Sequence, residues 1–446
     1  PRSVADIIRQ ASKLVTPSRQ EETRLKKIEF MVRKLVEHSL AESKAETIPE
    51  IVLGGSYAKG TWLKGEGDID YFLLYPVTYS REKLEGEAIK IALKAMKGFR
   101  VNLRYAEHPY VEAFVKNTRV NLVPCYKVEK GKWQSAVDRS PFHSEYIRAK
   151  FDAGLRLETR LLKKFAKGAK VYGAEVKVQG LSGYVCEVLV LKYGSLDSVL
   201  RALSVIKKGE VISVESYDKD VASSFPSALV ILDPVDTTRN LATAISAENF
   251  GRLILKARSF LSKPSMIYFQ EIDSTRFRRS AHDARLLKRT LVVAFRNKPR
   301  SLDVLWGQLR KSGSSLGSKL ETLGFKVLRS SVASNEDRES AFIFLMLETK
   351  ISNHQLRTGP DVFRKDDLEK YVSKNRGKYL LGWIDKDANA ASLFQRDPRM
   401  ADAFSAASKL LSNPKEVETM GLSKAISSEI ERGFSISDGL SAIRTK

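Results

Sequence analysis

Two cysteines in 446 residues, Cys125 and Cys186, leave room for no disulfide framework beyond a single bridge. Isolated thiols of this kind read as small buried hydrophobes. No apolar run approaches the roughly 18 residues that a membrane-crossing helix requires, and no segment at the start has the form of a secretory signal. Internal repeats and low-complexity tracts are also absent. Acidic residues are the last shortage: 53 Asp and Glu stand against 76 Lys and Arg, a net charge of +23. Together these absences exclude a disulfide-stapled secreted domain and a helical membrane protein, and the expected home is the cytoplasm. The positive surplus steers polyanions and suits nucleic acid, whose phosphates dominate affinity. The plainer alternative is a generally basic surface. A chain of 446 residues with 43% hydrophobic and 29% charged residues fits a globular protein of two to four domains.

The most informative stretch runs from Ile51 to Tyr75. An apolar run, Ile51 to Leu53, ends in Gly54-Gly55-Ser56, and a second β-rich run, Ile69 to Tyr75, opens with Asp68 and Asp70. Side chains at i and i+2 of a strand share a face, so these carboxylates aim at one point. Hard cations such as Mg2+ take oxygen ligands and share them with substrate phosphates. The glycine turn, with Gly55 and Ser56, lets backbone N–H groups approach a triphosphate. Paired carboxylates, divalent metal and a phosphate-cradling turn make a nucleotidyl-transfer site. Either element alone is a weak signal. Together, on consecutive strands, they resemble the signature of the polymerase-β-like nucleotidyltransferases.

Further segments extend the likeness. Gly54-Gly55-Ser56-Tyr57-Ala58-Lys59-Gly60-Thr61-Trp62-Leu63, Arg104-Tyr105-Ala106-Glu107-His108-Pro109-Tyr110-Val111 and Leu122-Val123-Pro124-Cys125-Tyr126 occur in this order. They are followed by Ala136-Val137-Asp138-Arg139-Ser140-Pro141-Phe142-His143, by Tyr172-Gly173-Ala174-Glu175 with Gly180-Leu181-Ser182-Gly183-Tyr184, and by Asp233-Pro234-Val235-Asp236 with Arg239-Asn240. As a set they resemble the archaeal-type CCA-adding enzymes, the tRNA nucleotidyltransferases that build and repair the tRNA 3′ end. Beyond residue 260 the likeness thins to Gly359-Pro360 and Lys374-Asn375-Arg376.

The resemblance implies addition of CCA from CTP and ATP, two Mg2+ ions held by Asp68 and Asp70, and a third carboxylate on the neighbouring strand. That third position is Asn121. An amide oxygen can touch a metal but carries no charge and accepts no proton as a carboxylate does. Nucleotide binding is expected to survive and turnover to fall, whether the change is natural or introduced. A compensating charge is also conceivable. If Asn117-Thr118 is the two-residue tip of a hairpin, Glu112 lies diagonal to Asn121 on one sheet face, about 7–8 Å away.

By the same resemblance, Ser56 and Lys59 contact the triphosphate, Lys standing where relatives often carry Arg and so losing the planar fork. Ser140 and His143 lie near the incoming phosphates, Lys163 supplies phosphate charge, and Tyr172 stands near the sugar. Asp233 and Arg239 match the region that reads the incoming base with help from tRNA phosphates, and His108 falls outside the contact residues. The acceptor and T arms of tRNA are the implied partner, and a homodimer remains open. Rival readings are a poly(A) polymerase or small-molecule nucleotidyltransferase, and a catalytically silent tRNA-binding relative.

The expected fold class is α+β and multidomain. A nucleotidyltransferase head with a small mixed sheet covers 1–145, a mainly helical base-recognition domain 146–262, and a C-terminal tRNA-binding body and tail 263–446. The head reads as helices over 3–16 and 18–40, strand 51–53, a short helix across 56–63, strand 68–75, a helix near 80–97 and strands 100–106, 110–116 and 119–125. Residues 144–207 and 237–262 read as helical. The strands Thr290 to Arg296, Phe325 to Ser331 and Ala341 to Thr349, with a helix over 301–323, give a β-α-β-β order that resembles a ferredoxin-like module. Residues 361–375 and 400–432 read as helical. Basic clusters over 276–289, 296–300, 357–378 and 396–399, the third interleaved with Phe363, Tyr371, Tyr379 and Trp383, are candidate RNA contacts.

Overall fold

Alternation along one strand decides the first sheet. Ile69, Tyr71, Leu73 and Tyr75 are fully buried, whereas Asp70 between them is only half-buried on the opposite face, as successive side chains of a strand must be. The structure, a computed structural model, describes residues 3–43, 47–105, 107–225, 227–271, 281–336 and 338–444. The chain divides into two compact units, Pro1–Ser274 and Thr275–Lys446.

The first unit begins with helices α1 (Val4–Val15) and α2 (Arg19–Ala41), strand β1 (Glu50–Gly54) and the short helix α3 (Gly55–Lys59). Then come β2 (Ile69–Pro76), α4 (Arg81–Ala95), β3 (Arg100–Tyr105), β4 (Pro109–Val115) and β5 (Thr118–Lys127). Ser3 and Asp6 form a capping box at the start of α1, and Ser18 caps α2, each satisfying backbone donors that a helix start leaves free. The strands lie in the order β1-β2-β5-β4-β3, antiparallel except for the β2/β5 pair. Ile28, Val32 and Val36 of α2 and Leu84, Ala88 and Ile91 of α4 pack on one face of the sheet. The other face carries a polar rung: Gly54 pairs with Asp70, Asp70 with Asn121, Asn121 with Glu112 and Glu112 with Asn102.

The β4/β5 hairpin differs from its expected form. It turns through Lys116 and Asn117, both at positive φ (48° and 63°), not through Asn117 and Thr118. A β-branched threonine resists the left-handed conformation that such turns demand, and Thr118 instead pairs with Val115. The slip makes Glu112 the direct partner of Asn121, not its diagonal neighbour.

Helices α5 (Arg139–Lys150), α6 (Ala153–Gly168), α7 (Gly183–Tyr193) and α8 (Leu196–Val205) follow, then β6 (Glu210–Ile212), α9 (Lys219–Ser223), β7 (Leu229–Ile231) and α10 (Ala247–Ser262). Leu161, Leu162 and Phe165 of α6 join Val185, Val188 and Leu189 of α7 in a second core with α1, α8 and α10. Helix expected from 237 begins only at Ala247. The side chain of Asn240 accepts from the N–H groups of Ile231 and Ala242, a local alternative to helix, and only a 3-10 turn forms at Leu241–Ala244.

The second unit contains α11 (Ala281–Lys288), β8 (Thr290–Arg296), α12 (Leu302–Thr322), β9 (Val327–Ser334) and β10 (Glu339–Met346). It continues through β11 (His354–Asp361), α13 (Lys365–Asn375), β12 (Leu381–Ile384) and β13 (Asn389–Gln395) to α14 (Ala403–Leu411), α15 (Pro414–Met420), α16 (Lys424–Glu431), β14 (Phe434–Asp438) and α17 (Gly439–Arg444). The first sheet, β14-β8-β10-β9, is antiparallel throughout. It is the ferredoxin-like order, completed by a strand the sequence reading did not include. A second sheet, β11-β13-β12, was not expected either. β12 is only four residues long and exposed along its whole length, too short a run to show the periodicity by which strands are recognised. Of the basic cluster expected over 276–289, positions 276–280 lie outside the described residues. Among the described residues, no helix is long and apolar enough to cross a membrane.

Candidate active site

The polar rung becomes a site because the chain bends sharply beside it. β1 ends at Gly54, and Gly55 follows at φ +66°, a conformation that side chains rarely adopt. A Cβ on Gly55 would overlap the Asp70 carboxylate. The turn and the carboxylate are therefore packed against each other, and glycine alone allows it.

Burial raises the pKa of Asp70, and the nearby charge of Asp68 raises it further, against the hydrogen bond from Asn121. Asn121 Nδ2 donates to Asp70 Oδ1 at 2.7 Å, while Asn121 Oδ1 is buried and without a hydrogen-bond partner. Two residues before Asp70 and Asn121, the Arg119 guanidinium pairs with Asp68. Glu112 is spoken for: it accepts from Asn102 Nδ2 and Arg104 Nε at 3.0 Å each, and Arg119 stands 4.0 Å away. Both hydrogen bonds go to Glu112 Oε1, and Oε2 faces the Arg119 guanidinium at 4.0 Å. Among the described residues, no three His, Cys, Asp or Glu side chains cluster as a metal site.

Beside these groups opens a cleft of about 390 Å³ lined by Ser56, Asp68, Arg119, Lys163, Lys167 and Tyr172. Behind it lies a buried charge cluster. Glu187, fully buried on α7, accepts from Lys59 Nζ and from Thr61 Oγ1 at 2.6 Å each. Lys163 Nζ on α6 donates to the Thr61 carbonyl at 3.0 Å and lies 3.5 Å from Glu187. Burial pulls the Lys163 pKa down. Burial would raise that of Glu187, but the charges of Lys59 and Lys163 outweigh it and hold the carboxyl below its ordinary value. One carboxylate facing two ammonium groups leaves a positive surplus at this corner.

A second group gathers on α5 and the segment after β7. His143 Nε2 meets Asp233 Oδ2 at 2.8 Å, Tyr184 donates to Asp233 Oδ1 at 3.1 Å, and Arg239 reaches Asp233 Oδ2 at 3.4 Å. The His143 ring stacks on Tyr184, centroids 3.9 Å apart. Burial lowers the His143 pKa, and because a carboxylate only accepts, Nε2–H of the ring is the donor to Asp233. Lys59 Nζ lies 5.6 Å from the centre of the Tyr184 ring, joining this group to the charge cluster.

The expected residues therefore fall into two adjoining sets, Gly55, Ser56, Lys59, Asp68, Asp70, Asn121, Lys163 and Tyr172 in one and His143, Asp233 and Arg239 in the other. Ser140 stands on α5 with its carbonyl accepting from Ser144. His108 binds Glu85 at 2.9 Å and belongs to neither set. Glu187, Thr61, Tyr184, Arg119 and Lys167 were not singled out by sequence. Glu187 did leave a trace, as the single acid inside the apolar run Val185 to Leu191.

The nucleotidyltransferase-domain family model matches residues 32–146, the stretch in which a mixed sheet packs Asp70 against a glycine turn, and this part of the chain is a nucleotidyltransferase of the polymerase-β-like class. The models for the second domain of tRNA nucleotidyltransferase and the C-terminal domain of CCA-adding enzyme match 158–270 and 288–439. A CCA-adding enzyme of Pyrobaculum aerophilum is 36% identical over 85% of this chain and 88% of its own length, and one of Saccharolobus shibatae 34% identical over 82% and 86%. The chain belongs to the CCA-adding enzymes. Among solved structures, a Cid1 poly(U) polymerase with Mg and 3′-dATP bound aligns at TM-score 0.47 and 14% identity, over 59% of this chain and 98% of that one.

Proposed function

We propose that this chain adds and repairs the 3′-terminal CCA of tRNA without a nucleic-acid template, using CTP and ATP and releasing diphosphate, and that Asn121 slows its turnover. The observation that carries the reading is a pair of contacts: Asp70 packs against the Gly55 turn, and Asp68 lines the adjoining cleft with Ser56, Lys163 and Tyr172. Asp68 and Asp70 suit a hard divalent cation such as Mg2+, and the partnerless Asn121 oxygen adds a neutral donor beside them. In two-metal nucleotidyl transfer, such ions offset the triphosphate charge and activate the attacking hydroxyl.

The protein's own part is binding and orientation. Ser56 on the turn faces the phosphates, with the surplus charge of Lys59 and Lys163 behind it, and Tyr172 stands by the sugar. His143, held by Asp233, orients the phosphates from the other set together with Ser140. Arg239 and Asp233 present the donor and acceptor groups that distinguish cytosine and adenine edges. The tRNA 3′-hydroxyl attacks, and the acceptor and T arms are held by phosphate and shape contacts. A cytoplasmic location and a second copy of the chain as partner belong to the same reading.

The test is extension of a tRNA lacking its CCA end with labelled CTP, then ATP. Three additions followed by arrest support the proposal, and unlimited adenylation supports a poly(A) polymerase. A silent tRNA-binding relative is the second reading, favoured by the capping of Asp70 by Asn121 and of Asp68 by Arg119. It requires salt-sensitive tRNA binding with no incorporation, even in Asn121→Asp.

A further inference from the structure

Each carboxylate around the cleft already has a protein partner. Glu66 pairs with Lys167, Asp68 with Arg119, Asp70 accepts from Asn121, and Glu187 is shared by Lys59 and Lys163. In a site with three free carboxylates, a triphosphate meets like charge until a cation intervenes. Here the third carboxylate is an amide and Asp68 is neutralised from within. Arg119 is also placed to do more than plug the site. Its side chain is 49% exposed and lines the cleft with Ser56, Lys163 and Tyr172. A guanidinium has five N–H donors in a fork suited to phosphate oxygens, and Asp68 takes only part of that set.

We propose that Arg119 acts as a built-in counter-cation, so that the triphosphate of CTP or ATP binds this cleft without a divalent ion. Any need for the ion is thereby moved from binding to transfer. The inference rests on the nucleotide-site reading above.

The experiment is calorimetric titration of the full chain with CTP and ATP, in Mg2+ and in excess EDTA. The wild type is expected to keep its affinity in EDTA to within about tenfold of that in Mg2+. Arg119→Gln should lose at least about tenfold in EDTA, and Arg119→Lys, which keeps charge but not the fork, should fall between. Asn121→Asp, a near-isosteric change that does not touch Arg119, should make binding depend on the ion by returning a charge to the rung. Wild-type binding in Mg2+ that weakens more than about tenfold in EDTA overturns the inference and leaves the nucleotide site standing. Arg119→Gln binding like wild type in EDTA also overturns it. Binding under neither condition overturns the nucleotide-site reading itself. Should Arg119→Gln not fold, Arg119→Lys and Asn121→Asp decide the matter alone.

Discussion

Asn121 and Asp70 are direct partners across the parallel β2/β5 pair, and the amide nitrogen of one donates to the carboxylate of the other at 2.7 Å. A carboxylate at 121 could not make that bond while both groups were charged. It would instead place three acids on one corner and call for a cation. Glu112, the other neighbour of Asn121 on the rung, is held through Oε1 by Asn102 and Arg104, and we propose that it does not take over the missing carboxylate's role. Asn121→Asp is therefore expected to raise single-turnover incorporation of CTP by about 100-fold or more. A gain of only a few-fold would mean that Glu112 supplies the charge after all, and Glu112→Gln would then remove the residual activity.

Gly55 is the least replaceable residue of the turn. Gly55→Ala combines left-handed strain, roughly 1–2 kcal/mol, with overlap between the new Cβ and the Asp70 carboxylate. The expected result is a lower unfolding midpoint in urea and loss of nucleotide incorporation together. Alanine at Gly65, where a Cβ meets nothing within 4 Å despite φ +80°, should cost stability by the strain alone and leave incorporation near wild type. Equal losses of incorporation at the two positions would show that the close approach at Gly55 is unimportant.

The separation between what sequence revealed and what it hid follows the range of the interactions. Asp68, Asp70 and the glycine turn were legible because strand periodicity and turn chemistry are local. The β14 strand, five residues with only Phe434 and Ile436 apolar, and the four-residue exposed β12 are too short for their pattern to announce them. Glu187 was hidden for a different reason. A buried carboxylate makes sense only beside its cations, and Lys59 is 128 positions away. Tyr184, whose partner Asp233 lies 49 positions away, is the same case. The one-residue slip at Lys116-Asn117 shows the limit even of local reading, since choosing between two asparagine-containing turns needed the steric cost of threonine.

Tyr184 ties the two halves of the site together, stacking on His143 and donating to Asp233. Tyr184→Phe keeps the stack and removes the hydrogen bond. Asp233 retains bonds from His143, Val235 and Arg239, so folding should suffer by about 1 kcal/mol. The larger effect should fall on nucleotide choice, because Asp233 and Arg239 lose their fixed orientation. The ratio of kcat/KM for CTP on tRNA lacking CCA to that for ATP on tRNA ending in CC should shift while tRNA affinity does not. An unchanged ratio would remove Asp233 from base reading.

Glu187 should prove the electrostatic keystone of the unit. Glu187→Gln leaves Lys59 and Lys163 buried without their counter-charge, and loss of one partner from a buried charged cluster costs about 3–5 kcal/mol. Glu187→Asp, which keeps the charge but shortens the arm, should recover part of that. The pH dependence follows from the direction of the shift. The folded-state pKa of Glu187 lies below its ordinary value of 4.5, because the two lysine charges outweigh burial. Its contribution is therefore fully present above about 4.5 and is lost as pH falls through the lower folded value, when the unfolded chain binds the proton first. Wild-type stability measured by urea unfolding should accordingly decline on acidification below about pH 4.5, and the decline should be shallower in Glu187→Gln, which has no proton to take up. If both proteins lose stability with the same slope, the cluster is not charged as drawn, and the surplus positive charge behind the cleft goes with it.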